Sequence, residues 1–264
     1  MLRYGGDTSC YVIESAGQRC IIDAGTGLAR FAREGEQLLA PTIMFLSHYH
    51  LDHLQGFPFF SPIFRPEFAL EVMSVPREGI GALDALFHAH RPPFFSVSLK
   101  SLCSMTLRSR DLLVEGEHRC GPMRIRWMDA PHPGGASAYR IEIGGESLVL
   151  ISDVELSMAD ASLRAFVADA DIAILDAQYS EAEYAVRQGW GHSTPAQTAA
   201  FAAETGVKTL YLTHHDPTRT DAEIDAFVEL ARAHHPRVFA AYDGMSLEWG
   251  EGSSSRAGAM GSLG

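Results

Sequence analysis

Three imidazoles and a carboxylate fall within one short stretch, Ser47-His48-Tyr49-His50-Leu51-Asp52-His53. In an extended segment His48 and His50 share a face, because alternate residues do. Neutral imidazoles crowded at a core edge need a shared partner, and a metal ion is the partner that several nitrogen donors satisfy at once. A plain polar loop is the other reading, and it leaves that crowding unexplained. The cluster cannot fill two coordination spheres, so a metal pair needs further ligands from elsewhere. Three downstream positions qualify, each just past a predicted strand: His132 between Pro131 and Pro133-Gly134-Gly135, Asp153 after 148–151, and His214 after 209–212. A metal pair of this kind does hydrolytic chemistry: it activates water and offsets developing negative charge.

The elements that must position these residues are legible from hydrophobic pattern and turn signals. Residues 8–15 and 18–23 read as strands joined at Ala16-Gly17, a hairpin signal. Residues 41–46 form a compact apolar run that ends on Ser47, where the cluster begins. Strands are expected at 68–75, 123–128, 138–143 and 147–151, the last two paired across Gly144-Gly145. In the second half, helices are expected at 158–168, 194–204 and 221–234, and strands at 172–176, 207–213 and 238–241. Pro195 suits the first position of its helix. Residues 81–91 read as a helix stopped by Pro92-Pro93. No Pro/Gly/Ser linker divides residues 1–250, which read as one hydrolase domain. Residues 251–264 are too poor in apolar groups to order themselves and read as a disordered tail. Strands and helices in both halves fit two packed sheets covered by helices.

Composition narrows the function. The 264 residues are 46% hydrophobic and 20% charged, as a soluble protein with a real core requires. No apolar run approaches the ~20 residues of a membrane span. The start, Met-Leu-Arg-Tyr-Gly-Gly-Asp, does not read as a signal peptide, so a cytoplasmic location is the expectation. A formal net charge of −12 argues against extended nucleic-acid binding, though not against a small anion held by metals. Cys10, Cys20, Cys103 and Cys120 show no CxxC pairing and are expected to be reduced.

The run HxHxDH, followed at wide intervals by a His, an Asp and a His, resembles the metallo-β-lactamase superfamily, from Tyr4-Gly5-Gly6 to Trp249. That resemblance implies a four-layer αββα sandwich of the α/β class with two divalent metals at one sheet edge. It implies that His48, His50 and His132 hold the first metal, that Asp52, His53 and His214 hold the second, and that Asp153 bridges them. All-N/O ligation suits Zn²⁺, with Mn²⁺ or Fe²⁺ as alternatives. Asp176-Ala-Gln-Tyr179 followed by Gly191-His192-Ser193-Thr194 resembles the ribonuclease Z and cyclic phosphodiesterase branch. There a carboxylate orients a histidine at a helix start, and that histidine acts on substrate. The implied mechanism has Asp52 orient a water shared by the metals, while His192, steered by Asp176, protonates the leaving alkoxide. His192 as a simple helix cap or packing residue is the competing reading.

The turn His132-Pro133-Gly134-Gly135, with Tyr139-Arg140-Ile141 close behind, is similar to the phosphodiesterase side rather than to lactonases and thioesterases of the superfamily. The chain has no long basic Gly/Pro-rich arm of the sort that lets ribonuclease Z hold transfer RNA. A small cyclic or diester phosphate is therefore the expected substrate, with a homodimer left open. A carbon-ester hydrolase and a non-catalytic metal-bound sensory domain are the alternatives. The turn Asp23-Ala-Gly25-Thr-Gly27 lacks the rest of a phosphate loop, and Asp23 is expected to support a metal-bound imidazole. His88 and His90 read as helix surface, although His90 and Phe94-Phe95 could line a pocket. His215 is ambiguous beside His214, while His118, His234 and His235 read as surface. Family members normally carry an extra strand before Tyr4-Gly5-Gly6, so either this chain start is short by one strand or an edge strand is missing.

Overall fold

The computed structural model describes residues 3–34, 42–103 and 107–250; the tail expected at 251–264 and the start of the strand expected at 41 lie outside the described residues. The first sheet is laid down in chain order: β1 (Tyr11–Ser15), β2 (Gln18–Ile22), β3 (Thr42–Phe45), β4 (Leu70–Ser74) and β5 (Leu107–Asp111). β1 and β2 form the predicted hairpin, with Ala16 and Gly17 both at positive φ as a tight two-residue turn demands. The remaining pairs, β2 to β5, are parallel. Parallel neighbours need crossovers. These are α1 (Thr26–Glu34), a chain of 3₁₀ turns from Leu51 to Phe64, and α2 (Ala82–Ala89) with α3 (Leu99–Cys103).

The second sheet comprises β6 (Gly116–Cys120), β7 (Met123–Ala130), β8 (Ala136–Ile143), β9 (Glu146–Ile151), β10 (Ile172–Asp176), β11 (Thr209–Thr213) and β12 (Val238–Ala240), neighbours again in chain order. β6 to β9 are antiparallel hairpins; β9 to β12 are parallel and are crossed by α4 (Ala161–Val167), α5 (Glu181–Arg187), α6 (Pro195–Glu204) and α7 (Asp221–Arg232).

Strand alternation sorts the apolar side chains into three cores. Ile22, Phe45, Met73, Ile125, Tyr139 and Ile174 meet between the sheets. Ile21, Met44 and Val72, one residue out of phase, face the layer of α1 and α2. Val149, Ala173 and Leu210 face α4, α6 and α7 on the other side. The result is the αββα sandwich. Two bonds crossing between the sheets bear directly on the histidine cluster. The Tyr139 hydroxyl donates to the Leu46 carbonyl at 3.0 Å and the Ser137 N–H donates to the Ser47 carbonyl at 3.0 Å. Strand β8 thereby fixes where β3 ends and the histidines begin.

Several elements escaped sequence reading. β5 and β6 are largely exposed and charged edge strands, so apolar alternation does not mark them. α1 and α5 are likewise additions. The helix expected at 158–168 is two pieces, a 3₁₀ turn at Leu156–Met158 and α4 capped by the Asp160 carboxylate. β1 is the outer strand of its sheet. Beside it residues 245–249 alternate, with Met245, Leu247 and Trp249 partly buried and Ser246 and Glu248 exposed, while joining neither sheet. Between them lies a cavity of about 660 Å³ that reaches Asp52 and His214. Among the described residues no helix is long and apolar enough to cross a membrane.

Candidate metal centre

All seven residues singled out as ligands converge at one end of the two sheets. His48 and His50 lie on the extended segment after β3. A 3₁₀ turn over Leu51–His53 then swings Asp52 and His53 inward, with the His53 N–H donating to the His50 carbonyl. His132, Asp153 and His214 follow β7, β9 and β11. Their donor atoms form two groups. His48, His50, His132 and Asp153 offer one atom each within 4.8 Å of one another, and so do Asp52, His53, Asp153 and His214. Asp153 belongs to both: its Oδ2 is 3.7 Å from His48 Nε2 and 3.3 Å from His214 Nε2, and its Oδ1 is 3.1 Å from His53 Nε2.

The far side of each ring is tethered in a way that aims a lone pair at the centre. The His53 Nδ1–H donates to Asp23 Oδ2 at 2.8 Å. The Ser47 hydroxyl also donates to Asp23 Oδ2, so it accepts from the His48 Nδ1–H at 3.0 Å. One buried carboxylate therefore orients imidazoles of both groups, His53 directly and His48 through Ser47. The His132 Nδ1–H donates to the Gly191 carbonyl at 2.9 Å, and His132 Nε2 stands 3.2 Å from His50 Nδ1. His48 Nε2 is buried without a hydrogen-bond partner, and His53 Nε2 and Asp153 Oδ1, also buried, face each other at 3.1 Å. Orphaned acceptors in such a cluster are costly unless something cationic shares them, so an all-N/O donor set fits a divalent metal.

Electrostatics splits the two groups. Burial pushes His48, His50 and His132 below the ordinary histidine range, which keeps them neutral as ligands must be. Burial acts the same way on His53 and His214, but Asp153 together with Asp23 or Asp52 outweighs it. His53 is raised well above the ordinary value and His214 to about 9. Asp153 and Asp52 are held well below the usual carboxylate range by these imidazoles in spite of burial. The negative charge that retains protons on His53 and His214 would equally retain a divalent cation in their place. Backbone strain is stored here as well: Asp23 and His214, each at a strand end, have φ of 65° and 58°.

Comparison with known proteins decides the family. The Beta-lactamase superfamily domain matches residues 18–215. The chain belongs to that superfamily. A ribonuclease Z from Bradyrhizobium diazoefficiens is 28% identical over 88% of this chain and 91% of its own length. The metallo-beta-lactamase fold protein YhfI from Bacillus subtilis superposes with a TM-score of 0.71 at 20% identity, over 92% of this chain and 95% of that one. A diphosphatase from the PhnP family superposes with a TM-score of 0.68 at 18% identity, over 92% and 84%. Within the superfamily the protein stands in the ribonuclease Z-like branch and is a metal-dependent hydrolase.

The rest of this superfamily member's site combines predicted and unpredicted residues. The His192 Nδ1–H donates to Asp176 Oδ2 at 2.6 Å. The Asp176 carboxylate is fully buried and also accepts from the N–H groups of Gln178 and Ser193. The His192 ring lies 5.4 Å from that of His132 and stacks on His214 at 5.0 Å. Thr194 caps α6 in a capping box with Gln197, which leaves His192 outside the helix and removes the capping reading.

Two partners were missed. Glu155, buried after β9, accepts from the N–H groups of Gly189 and Gly191 and from the Tyr184 hydroxyl. Gln178 places its side-chain amide 2.9 Å from His214 Nδ1, and Arg219 donates to the Gln178 carbonyl while pairing with Glu183. Two glycines are obligatory. A Cβ on Gly191, at φ 88°, would stand 2.2 Å from His132 Nδ1, and one on Gly25 would stand 2.4 Å from the Asp52 carbonyl.

Other expectations need correction. His90 is buried, closing α2 with its Nδ1–H on the Leu86 carbonyl, and with Phe95 it packs under the first sheet. His235 is buried too, its Nε2–H on the Val207 carbonyl, because α7 ends against the start of β11. Arg140 braces the outside of the second sheet through the Phe166 and Ala168 carbonyls. His88 and His234 are exposed as expected and His118 is half-buried. His215 turns away from the centre toward the Ala241 carbonyl. Cys10, Cys20 and Cys120 are free thiols.

Proposed function

We propose that the protein is a dinuclear phosphodiesterase for a small cyclic or diester phosphate. The observation that carries this is the Asp176–His192 pair standing against both His132 and His214. Expulsion of an alkoxide from phosphorus calls for a proton donor at that point, whereas a thioester, which expels a stable thiolate, does not need one. In this reading His48, His50 and His132 hold one metal, Asp52, His53 and His214 the other, and Asp153 both. The metals, Zn²⁺ first among the choices, supply a hydrolytic water of lowered pKa and offset charge on the phosphoryl oxygens.

The chain's own residues do the rest. The hydrogen bond to Asp176 holds the ring by its Nδ1–H, so that the imidazolium form of His192 presents Nε2–H to substrate and becomes neutral as that proton passes to the leaving oxygen. Asp52, more than a third exposed, is the carboxylate at the mouth that can accept a hydrogen bond from the attacking water. The names of two relatives, a ribonuclease and a diphosphatase, both denote cleavage at phosphorus. The net charge of −12 favours a small substrate over a long polyanion.

The test measures metal content and hydrolysis of bis(p-nitrophenyl) phosphate beside a panel of lactones and thioesters. Two metals per chain and diester turnover are expected, with His192→Ala keeping its metals and losing rate. Preference for carbon esters would overturn the reading. A His192→Ala protein with full metals and a full rate on an alkyl diester, whose leaving oxygen needs the proton, would remove that residue from the mechanism.

A further inference from the structure

The loop that ends at His192 carries a side chain that neither the fold nor the metals use. Trp190 is 61% exposed. The backbone around it is fastened at every point. The N–H groups of Gly189 and Gly191 donate to Glu155, the Trp190 N–H donates to the Arg187 carbonyl, and the Gly191 carbonyl accepts from His132. The indole is thus held out from an anchored loop rather than exposed by fraying, and the apolar surface it shows to water is unfavourable unless something covers it.

Its surroundings indicate what does. The Arg187 guanidinium lies over the Trp190 ring at 5.9 Å and over the Tyr179 ring at 5.1 Å, and Tyr179 meets the His192 ring edge-on at 5.2 Å. Arg187 has Glu183 at 3.8 Å as its ion partner. A continuous path of ring and cation–π contacts therefore leads from the proton donor out to the indole: His192, Tyr179, Arg187, Trp190. The steps are 5.2, 5.1 and 5.9 Å, so the indole lies within reach of a mononucleotide or dinucleotide held at His192. A flat heteroaromatic ring suits an exposed indole backed by a cation, because every base has a π-face and arginine strengthens the stack. The strongly negative net charge gives no continuation for a longer strand.

We propose that Trp190, backed by Arg187, is the platform on which a nucleobase of the substrate stacks, so that the diester cleaved here is a mononucleotide or dinucleotide diester. This rests on the phosphodiesterase reading above and adds the group next to the scissile phosphate.

Two measurements test it. The first compares kcat/KM for thymidine 5′-(p-nitrophenyl phosphate) and methyl p-nitrophenyl phosphate, which share a leaving group and differ in having a nucleoside or a methyl group as the other ester. The wild type prefers the thymidine diester. Trp190→Ala lowers that preference by roughly five- to a hundredfold, mostly through KM, and Trp190→Phe restores much of it. The second needs no turnover: adenosine 5′-monophosphate quenches tryptophan fluorescence saturably in the wild type. It does not do so in Trp190→Phe, which keeps Trp127 and Trp249. An unchanged preference in Trp190→Ala, or equal quenching in the two proteins, overturns the platform. If neither diester is hydrolysed by metal-loaded wild type, the phosphodiesterase reading falls, and the quenching measurement still decides whether Trp190 binds a base.

Discussion

Glu155 accepts the N–H of Gly191 at 3.2 Å, and the carbonyl of that same glycine accepts the Nδ1–H of His132. The Glu155 N–H also donates to the Pro131 carbonyl, next to His132 in the chain. Glu155 thus holds His132 from two directions, by its carboxylate through Gly191 and by its backbone N–H through Pro131, and the carboxylate anchors the loop on which His192 sits. Glu155→Gln keeps the shape but points an amide N–H₂ at backbone donors, and losing charge-assisted bonds in a buried place costs roughly 2–4 kcal/mol. Urea unfolding is expected to show a loss of that size. Metal titration is expected to show one of the two ions weakened about 10- to 100-fold. Equal stability and equal affinity for both ions would show that the His132 loop holds itself.

How much of this was legible depends on whether a residue's role is local. The cluster from His48 to His53 announces itself because its ligands are close in sequence. Asp23 was readable from its tight turn, and His192 from the helix start beside it. Glu155, Gln178 and Trp190 carry no local signature: a lone Glu after a strand or a Trp between glycines looks like ordinary surface. Only the approach of α5 and its following loop to β9 shows that Glu155 is buried and Trp190 is not. His90 and His235 fail for the reverse reason, since a histidine at a helix end can turn back to a carbonyl and disappear from the surface.

Asp23 serves both metal groups at once, so its removal should be felt by both. Asp23→Asn retains an oxygen acceptor but sets an N–H₂ against either the Ser47 or the His53 donor. Affinity for both ions is expected to fall about 10- to 100-fold, whereas Ser47→Ala weakens chiefly the ion held through His48. Isothermal titration with Zn²⁺ resolves the two. A Ser47→Ala protein as defective as Asp23→Asn at both positions would contradict the branched arrangement.

Metal removal should change the pH dependence of stability. In the metal-free protein His214 has its pKa raised to about 9, above the unfolded value of 6.5, and His53 is raised as well. Their proton-linked stability is fully present below pH 6.5 and is lost as pH rises through 9. With chelator, Tm is therefore expected to fall between pH 7 and 9 as His214 gives up stability on the order of 2 kcal/mol. A bound ion has to displace the same protons, so its contribution grows over that interval. The gap in Tm between loaded and chelated protein should widen from pH 7 to 9. A constant gap in thermal scans would mean that neither imidazole is protonated without metal.

Asp176 touches no proposed ligand atom directly, yet it fixes which nitrogen of His192 carries the proton. Asp176→Asn weakens the acceptor that orients the His192 ring through its Nδ1–H and leaves the remaining geometry largely intact. The loss should therefore appear in proton donation rather than in metal binding. For an alkyl diester, whose leaving oxygen must be protonated as it departs, kcat is expected to drop about 10²- to 10⁴-fold. For a p-nitrophenyl diester, which expels a stable anion, the drop should be at least tenfold smaller. Metal content by atomic absorption should match the wild type. A loss of rate that is the same for both leaving groups would place Asp176 in the architecture of the loop instead of in proton transfer.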